Sequence, residues 1–258
     1  MPTLNRSILP GFRLSLSYAV TYLTILVLIP LAACFAKAST LTWDTFWRTV
    51  WTERALAAYV LTFGASCAAA VVALALGLLI AWVLVRYEFP LKSLFDAIID
   101  LPLALPTAVA GLVYSSLYVQ KGWFGQFLVP IGIEGAYSRL AIVLVLTFIG
   151  LPLTVRTIQP VLATCDYETE EAAACLGASR FRTFSYVILP TLYPAMVTGF
   201  ALAFARALGE YGSVVFVSGN MPYRTEIAPV LIVARLEEFA YEGSGQNDVK
   251  MHAKAESQ

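Results

Sequence analysis

Residues 166–190, DYETEEAAACLGASRFRTFSYVILP, form a polar interval between two long apolar runs. They read as two short helices. Asp166 is a good N-cap, because its carboxylate can accept from the N–H groups that open a helix. Glu168, Glu170 and Glu171 then fall near the positive end of the helix dipole. Ala172, Ala173 and Ala174 are strong helix formers with almost no side-chain bulk. Gly177 suits a left-handed C-terminal stop. Ser179 can cap the following helix, and Pro190 bends or restarts it where the apolar run resumes. A short helix with a small-residue face suits insertion into a partner's groove. A plain polar connector between two spans fits the same residues.

Outside this interval the chain is mostly apolar. Of 258 residues, 59% are hydrophobic and 13% charged, against about 45–50% and about 25% in soluble domains. One globule could not bury that surplus, which excludes a secreted mini-protein, a disordered tail or a free cytosolic enzyme. A membrane-crossing helix needs about 20 apolar residues. Five stretches qualify or nearly do: 14–35, 55–85, 94–118, 140–155 and 187–208. Period-2 alternation is missing, so an all-α integral membrane protein is expected rather than a barrel. Leu31-Ala-Ala-Cys34 looks like a lipoprotein cleavage site, but the apolar run exceeds the about 7–15 residues of a secretory signal. The first span is therefore kept as a helix. Trp43, Trp47, Trp51, Tyr118 and Trp123 suit aromatic belts at the membrane interface.

Charges balance, with 17 Lys plus Arg, 17 Asp plus Glu and one histidine, His252. No basic face for nucleic acid is expected. Cys34, Cys67, Cys165 and Cys175 make no C-x-x-C pair, so no metal site and no cofactor are expected. A phosphate-cradling G-x-x-x-x-G-K-[ST] loop is absent, so any ATP hydrolysis falls to a separate chain. Lys and Arg divide evenly between alternate loops and leave the orientation open.

Spacing within the polar interval carries a resemblance. Glu171-Ala-Ala, three residues, Gly177, nine residues and Val187-x-Leu-Pro190 match the EAA signature of binding-protein-dependent ABC importer permeases, with Val187 for the commoner Ile. Residues 100–111, DLPLALPTAVAG, and 205–216, ARALGEYGSVVF, resemble runs of sulfate and molybdate permeases. The opening LPGFRLSL from Leu9 and the late RLEEFAY from Arg235 resemble the T-type subunit of sulfate/thiosulfate importers. The likeness covers roughly residues 8–243.

This resemblance implies a MetI-like permease fold and a multi-pass subunit of the bacterial inner membrane, a single domain with its core over 14–241. Residues 166–180 would be the cytoplasmic coupling loop. Glu170, Glu171, Ala172, Ala173, Gly177 and Arg180 would engage an ATP-binding subunit there. The implied partners are a second, W-type permease subunit, that ATPase and a periplasmic sulfate-binding protein. Sulfate or thiosulfate would be the cargo, with molybdate or tungstate as the alternative. Such permeases continue after Tyr241 into one more helix, whereas residues 242–258 are polar and expected to be disordered. Five visible spans are therefore expected, with the family's last helix missing.

Charged groups inside spans mark function by default. Arg206 and Glu210 share one helix face at i,i+4, near the outer end of the fifth span. They read as a gate easing an anion through, or as an ion pair that holds helices together. Asp96 and Asp100, also i,i+4, precede Pro102 and Pro106, which should break the third span and let it line a cavity. Thr107, Ser115 and Ser116 could offer hydroxyls there, while the two carboxylates read as interfacial anchors. Asp96-x-x-x-Asp100 also has the spacing of a diphosphate–Mg²⁺ site in an intramembrane prenyl transferase. That reading needs a second acidic cluster. A non-transporting membrane scaffold is the third class.

Overall fold

A computed structural model of the chain describes residues 11–40 and 42–238, which contain helices and no strand. The all-helical class holds. Two compact units divide at Thr52 and Glu53, and each is described separately.

The first unit holds α1 (Phe12–Ala38) and α2 (Trp43–Val50). At 27 residues, α1 exceeds the about 20 residues that cross the hydrocarbon core. Its turn at Thr24–Leu28 widens into a π-helix just ahead of Pro30, where the proline lacks an N–H and its ring crowds the preceding turn. None of its residues is buried within the chain. Thr42 caps α2 by accepting from the Thr45 N–H at 3.4 Å. Trp43, Phe46, Trp47 and Trp51 pack ring against ring, as aromatics at a membrane interface do.

The second unit is built on α3 (Glu53–Arg86), α8 (Arg139–Ala163) and α10 (Arg180–Leu208), each long and apolar enough to cross a membrane. The buried face of α3 repeats small side chains at helical spacing: Ala58, Thr62, Ala65, Ala69, Ala73, Gly77 and Ala81. The buried face of α8 supplies the bulk with Ile142, Val145, Ile149, Val155, Ile158 and Leu162. Lipid gives no hydrophobic drive for helix pairing, so small residues that let backbones approach carry the association. At the tightest point a Cβ added to Gly77 would stand 2.2 Å from Thr154 Oγ1. The Thr154 hydroxyl shares its hydrogen between the carbonyls of Ala73 at 2.9 Å and Leu151 at 2.8 Å. Helix α10 closes the bundle, with Ala203 against Gly150 and Thr157 against Gly199.

Between α3 and α8 the expected third span is not one helix. It comprises α4 (Lys92–Ile99), α5 (Leu101–Ala104) and α6 (Thr107–Tyr118). The break falls at Leu105, which is extended at φ −81°, ψ 139°, a conformation that the following Pro106 favours over the helical one. Among the described residues, four continuous helices reach span length rather than five. A short α7 (Gly125–Leu128) leads towards α8.

After α8 comes α9 (Tyr167–Cys175). The expected second short helix does not stand alone. It is the first turn of α10, which passes Pro190 through a π turn at Phe184–Ile188 instead of restarting. Beyond α10 lie α11 (Val214–Val217) and α12, residues 228–238. Over its described residues α12 is shorter than a span and carries Arg235, Glu237 and Glu238. The expected polar tail, 242–258, lies outside the described residues.

Candidate functional site

The turn after α9 forms as its sequence dictates. Gly177 adopts φ +80°, which costs glycine nothing and other residues a clash. Its N–H donates to the Ala174 carbonyl at 2.9 Å, and the Ala178 N–H to that of Ala173 at 3.0 Å, which closes the helix end. Ser179 accepts from the Arg182 N–H at 3.4 Å and caps α10. Asp166 sits in the N-cap position with extended backbone, but its exposed side chain makes no cap hydrogen bond. That expectation is corrected: the position is right and the bond is not made.

Glu171, Ala172, Gly177 and Arg180 are exposed and Ala173 half-buried. Leu176, next to the turn, is 89% exposed and Phe181 79%. A hollow beside them is lined by Ala173, Leu176, Tyr186 and Val187 among others. An apolar notch flanked by uncovered large side chains is the form of a docking surface. Glu170 differs from its neighbours. It turns inward and accepts from Arg86 at the end of α3. The guanidinium also lies 4.3 Å over the Tyr167 ring and 5.4 Å over Trp82.

Asp96 and Asp100 close on Arg156 of α8. Its Nε and Nη2 donate to the two oxygens of Asp100 at 2.9 and 2.6 Å, while Nη1 reaches Asp96 Oδ1 at 2.8 Å and Gln159 at 2.7 Å. The paired carboxylates are thus charge-compensated by one fork, an arrangement that anchors α4 to α8. Glu168, Glu170 and Glu171, the other acids a prenyl transferase site would need, lie on α9, and Glu170 is tied to Arg86.

At the far ends of these helices two acids are buried. Glu210 receives Arg206 through one oxygen. Through the other it receives the Ser213 N–H at 2.9 Å and hydroxyl at 3.0 Å. It therefore fixes the turn into α11 as well as pairing with Arg206. Glu226 is held two-pronged by Arg54, at 2.7 and 2.6 Å. Beside it Thr62 accepts from the Ala228 N–H at 2.8 Å and caps α12 from a neighbouring helix.

The broken segment packs on this turn. Gly212 leaves room for Thr107 Oγ1, which would stand 2.4 Å from an added Cβ, and Gly111 lies as close to the Ser213 backbone. Ser115, expected to offer a hydroxyl to an oxyanion, instead shares its hydrogen between the carbonyls of Phe216 at 2.8 Å and Gly111 at 2.9 Å. Ser116 bonds to Val113 on its own helix. Pro102 is buried and Pro106 exposed.

Sequence reasoning missed Arg54, Arg86, Arg156 and Glu226 as site members. A charge at the margin of an apolar span was the available signal for the three arginines, since such a charge needs a partner.

Residues 73–229 match the family model described as binding-protein-dependent transport system inner membrane component. The sulfate transport system permease protein CysT of Synechococcus elongatus is 48% identical over 95% of this chain and 88% of the relative. Its namesakes in Salmonella typhimurium and Escherichia coli are 44% and 42% identical, each over 92% of this chain and 86% of the relative.

Proposed function

The chain belongs to the binding-protein-dependent transport system inner membrane component family, and from that premise we propose that it is the T-type permease subunit of an ATP-driven sulfate importer. It is a multi-pass inner-membrane transport subunit, not an enzyme. The observation that carries the cargo is the identity of 42–48% over about nine-tenths of the chain to sulfate permeases.

With a second, W-type permease subunit it forms the pore. A separate ATP-binding subunit drives it, and a periplasmic sulfate-binding protein delivers sulfate or thiosulfate. The 166–180 loop faces the cytoplasm, which places the Arg206 end of the bundle on the periplasmic side. Glu171, Ala172, Gly177 and Arg180 present the exposed face to the ATPase. Ala173 borders the docking notch, and Glu170 fixes α9 from behind. Closure of the ATPase on ATP moves this loop and switches the pore from inward-facing to outward-facing.

Pro102 and Pro106 free the broken helix to line the path. Thr107 holds it against the Gly212 turn. Arg206 offers donors to a passing dianion while Glu210 keeps the turn in shape. Selectivity sits mainly in the binding protein, so the pore needs only weak anion contacts. Anion transport asks for donors that release as readily as they bind.

Labelled sulfate uptake tests the reading, in cells that lack their own T-type permease but keep the other components. Uptake restored by this chain, and lost again with Gly177→Val, is expected. A membrane-inserted, complex-forming chain that restores molybdate uptake but no sulfate uptake would overturn the cargo.

A further inference from the structure

We propose that Arg86 is a positioning residue that carries movement of the coupling helix α9 into span α3, so that the ATPase acts on three spans rather than only on the two the loop joins. The proposal rests on the coupling-loop reading above. Chain connectivity links α9 to α8 before it and α10 after it. Helix α3 is joined to this loop by no short stretch of chain, yet its last residue, Arg86, reaches into it.

The Arg86 side chain is only 7% exposed. It is clamped between the rings of Trp82, one turn back on α3, and Tyr167, the first residue of α9. Its Nη2 donates to Glu170 on the next turn of α9. Trp82 in turn meets Phe184 edge-on, with centroids 5.6 Å apart, and Phe184 opens the π turn of α10. The end of one span, the coupling helix and the start of another span thus meet around a single guanidinium.

Two features suit this junction to transmitting movement. Stacking of a cation on aromatic faces resists separation but is weakly directional, so the rings can slide across the guanidinium plane. The bond to Glu170 supplies the direction. The second feature is that Nε and Nη1 of Arg86 are buried without a hydrogen-bond partner. Idle donors on one side and a filled one on the other leave this residue able to take up a second set of bonds when α9 shifts.

The test uses the complete transporter in liposomes, with its binding protein. Arg86→Gln is expected to leave assembly and basal ATP hydrolysis unchanged. The stimulation of hydrolysis by sulfate-loaded binding protein should fall about tenfold, inside the range of about 5–150-fold typical of coupling between sites. Glu170→Gln should lose stimulation in the same way, and Arg86→Lys, which keeps charge but not the planar fork, should lose part of it. The exchanged pair, Arg86→Glu with Glu170→Arg, should regain part. An exchanged pair as poor as the single variants assigns Arg86 a structural role and overturns the proposal. So does full stimulation in Arg86→Gln. Should Arg86→Gln fail to assemble, Glu170→Gln decides, and undiminished stimulation there is fatal. Gly177→Val in parallel separates the two levels. If it too leaves stimulation intact, the coupling-loop reading itself fails; if it alone uncouples, only the relay through Arg86 does.

Discussion

At the end of the bundle that carries Arg54 and Arg206, the acid is the hidden member of each pair. Glu226 and Glu210 are 3% and 2% exposed, their arginines 25% and 38%. At the end that carries the EAA turn the order reverses at Arg86 and is close to level at Arg156. Arg86 is 7% exposed against 24% for Glu170, and Arg156 is 34% exposed against 38% and 46% for Asp96 and Asp100. A buried acid pins irregular backbone and leaves its arginine's face open, as Glu210 does for the Gly212 turn. Arg86, covered, ties an acid of a separate segment and leaves that carboxylate the more open partner. In the orientation proposed above, the first arrangement would put the more open arginines at the periplasmic mouth, where cations favour entry of a dianion.

The contrast breaks most visibly at Arg54. Arg54→Ala strands a buried carboxylate and should destabilise the chain by about 3–5 kcal/mol, read as a lowered unfolding midpoint in detergent. A loss no larger than that of Asp100→Asn would erase the distinction between the ends. Gly177→Val comes next. A β-branched residue at φ +80° costs about 1–2 kcal/mol of local strain, and sulfate-stimulated ATPase should drop about tenfold while the chain still inserts. Arg206→Gln should follow with a fall in uptake of about fivefold at low ionic strength, narrowing as salt is raised. Co-purification of the subunits should be unaffected, because Ser213 still holds Glu210. Loss of the complex would make Arg206 structural instead. Asp100→Asn, where the partners are more solvated, should cost only about 1 kcal/mol, since Asp96 and Gln159 keep Arg156 engaged.

The smallest effect sits at two cysteines in and beside the 166–180 loop. Burial pushes the Cys165 thiol above its ordinary range, whereas Cys175 is exposed. A maleimide added from the cytoplasmic side should label Cys175 several-fold faster at neutral pH, because the thiolate is the reacting form. The gap should narrow as the pH rises through the thiol range. Binding of the ATPase subunit should slow Cys175 and leave Cys165 unaltered.

The local features of this fold were legible in the sequence because their causes are local. Apolar length marked the spans, Gly177 and Ser179 marked the turn, and Pro102 with Pro106 marked the break. Counting that broken segment as a span overstated it, since hydropathy does not register the extended residue that a proline imposes on Leu105. Pro190 does not restart the helix, because a π turn just ahead of it absorbs the proline. Most of the charged architecture was not legible. Arg156 meets Asp96 across 60 residues, Arg86 meets Glu170 across 84 and Arg54 meets Glu226 across 172. Of the ion pairs with a buried member described above, Arg206–Glu210 lies within one turn of helix and could be read by spacing. Glu170 shows the same limit within the motif, where its neighbours face outward and it faces in.

The small-residue face of α3 has a mechanical consequence. With Gly77 admitting no side chain beside Thr154, α3 and α8 have no slack along their midsections and should behave as one stiff strut. Bending must then concentrate where helical geometry is already interrupted, at Leu105, in the π turn at Phe184–Ile188 and at Gly177. Movement applied at the proposed coupling end should then turn the chain mainly at those three joints.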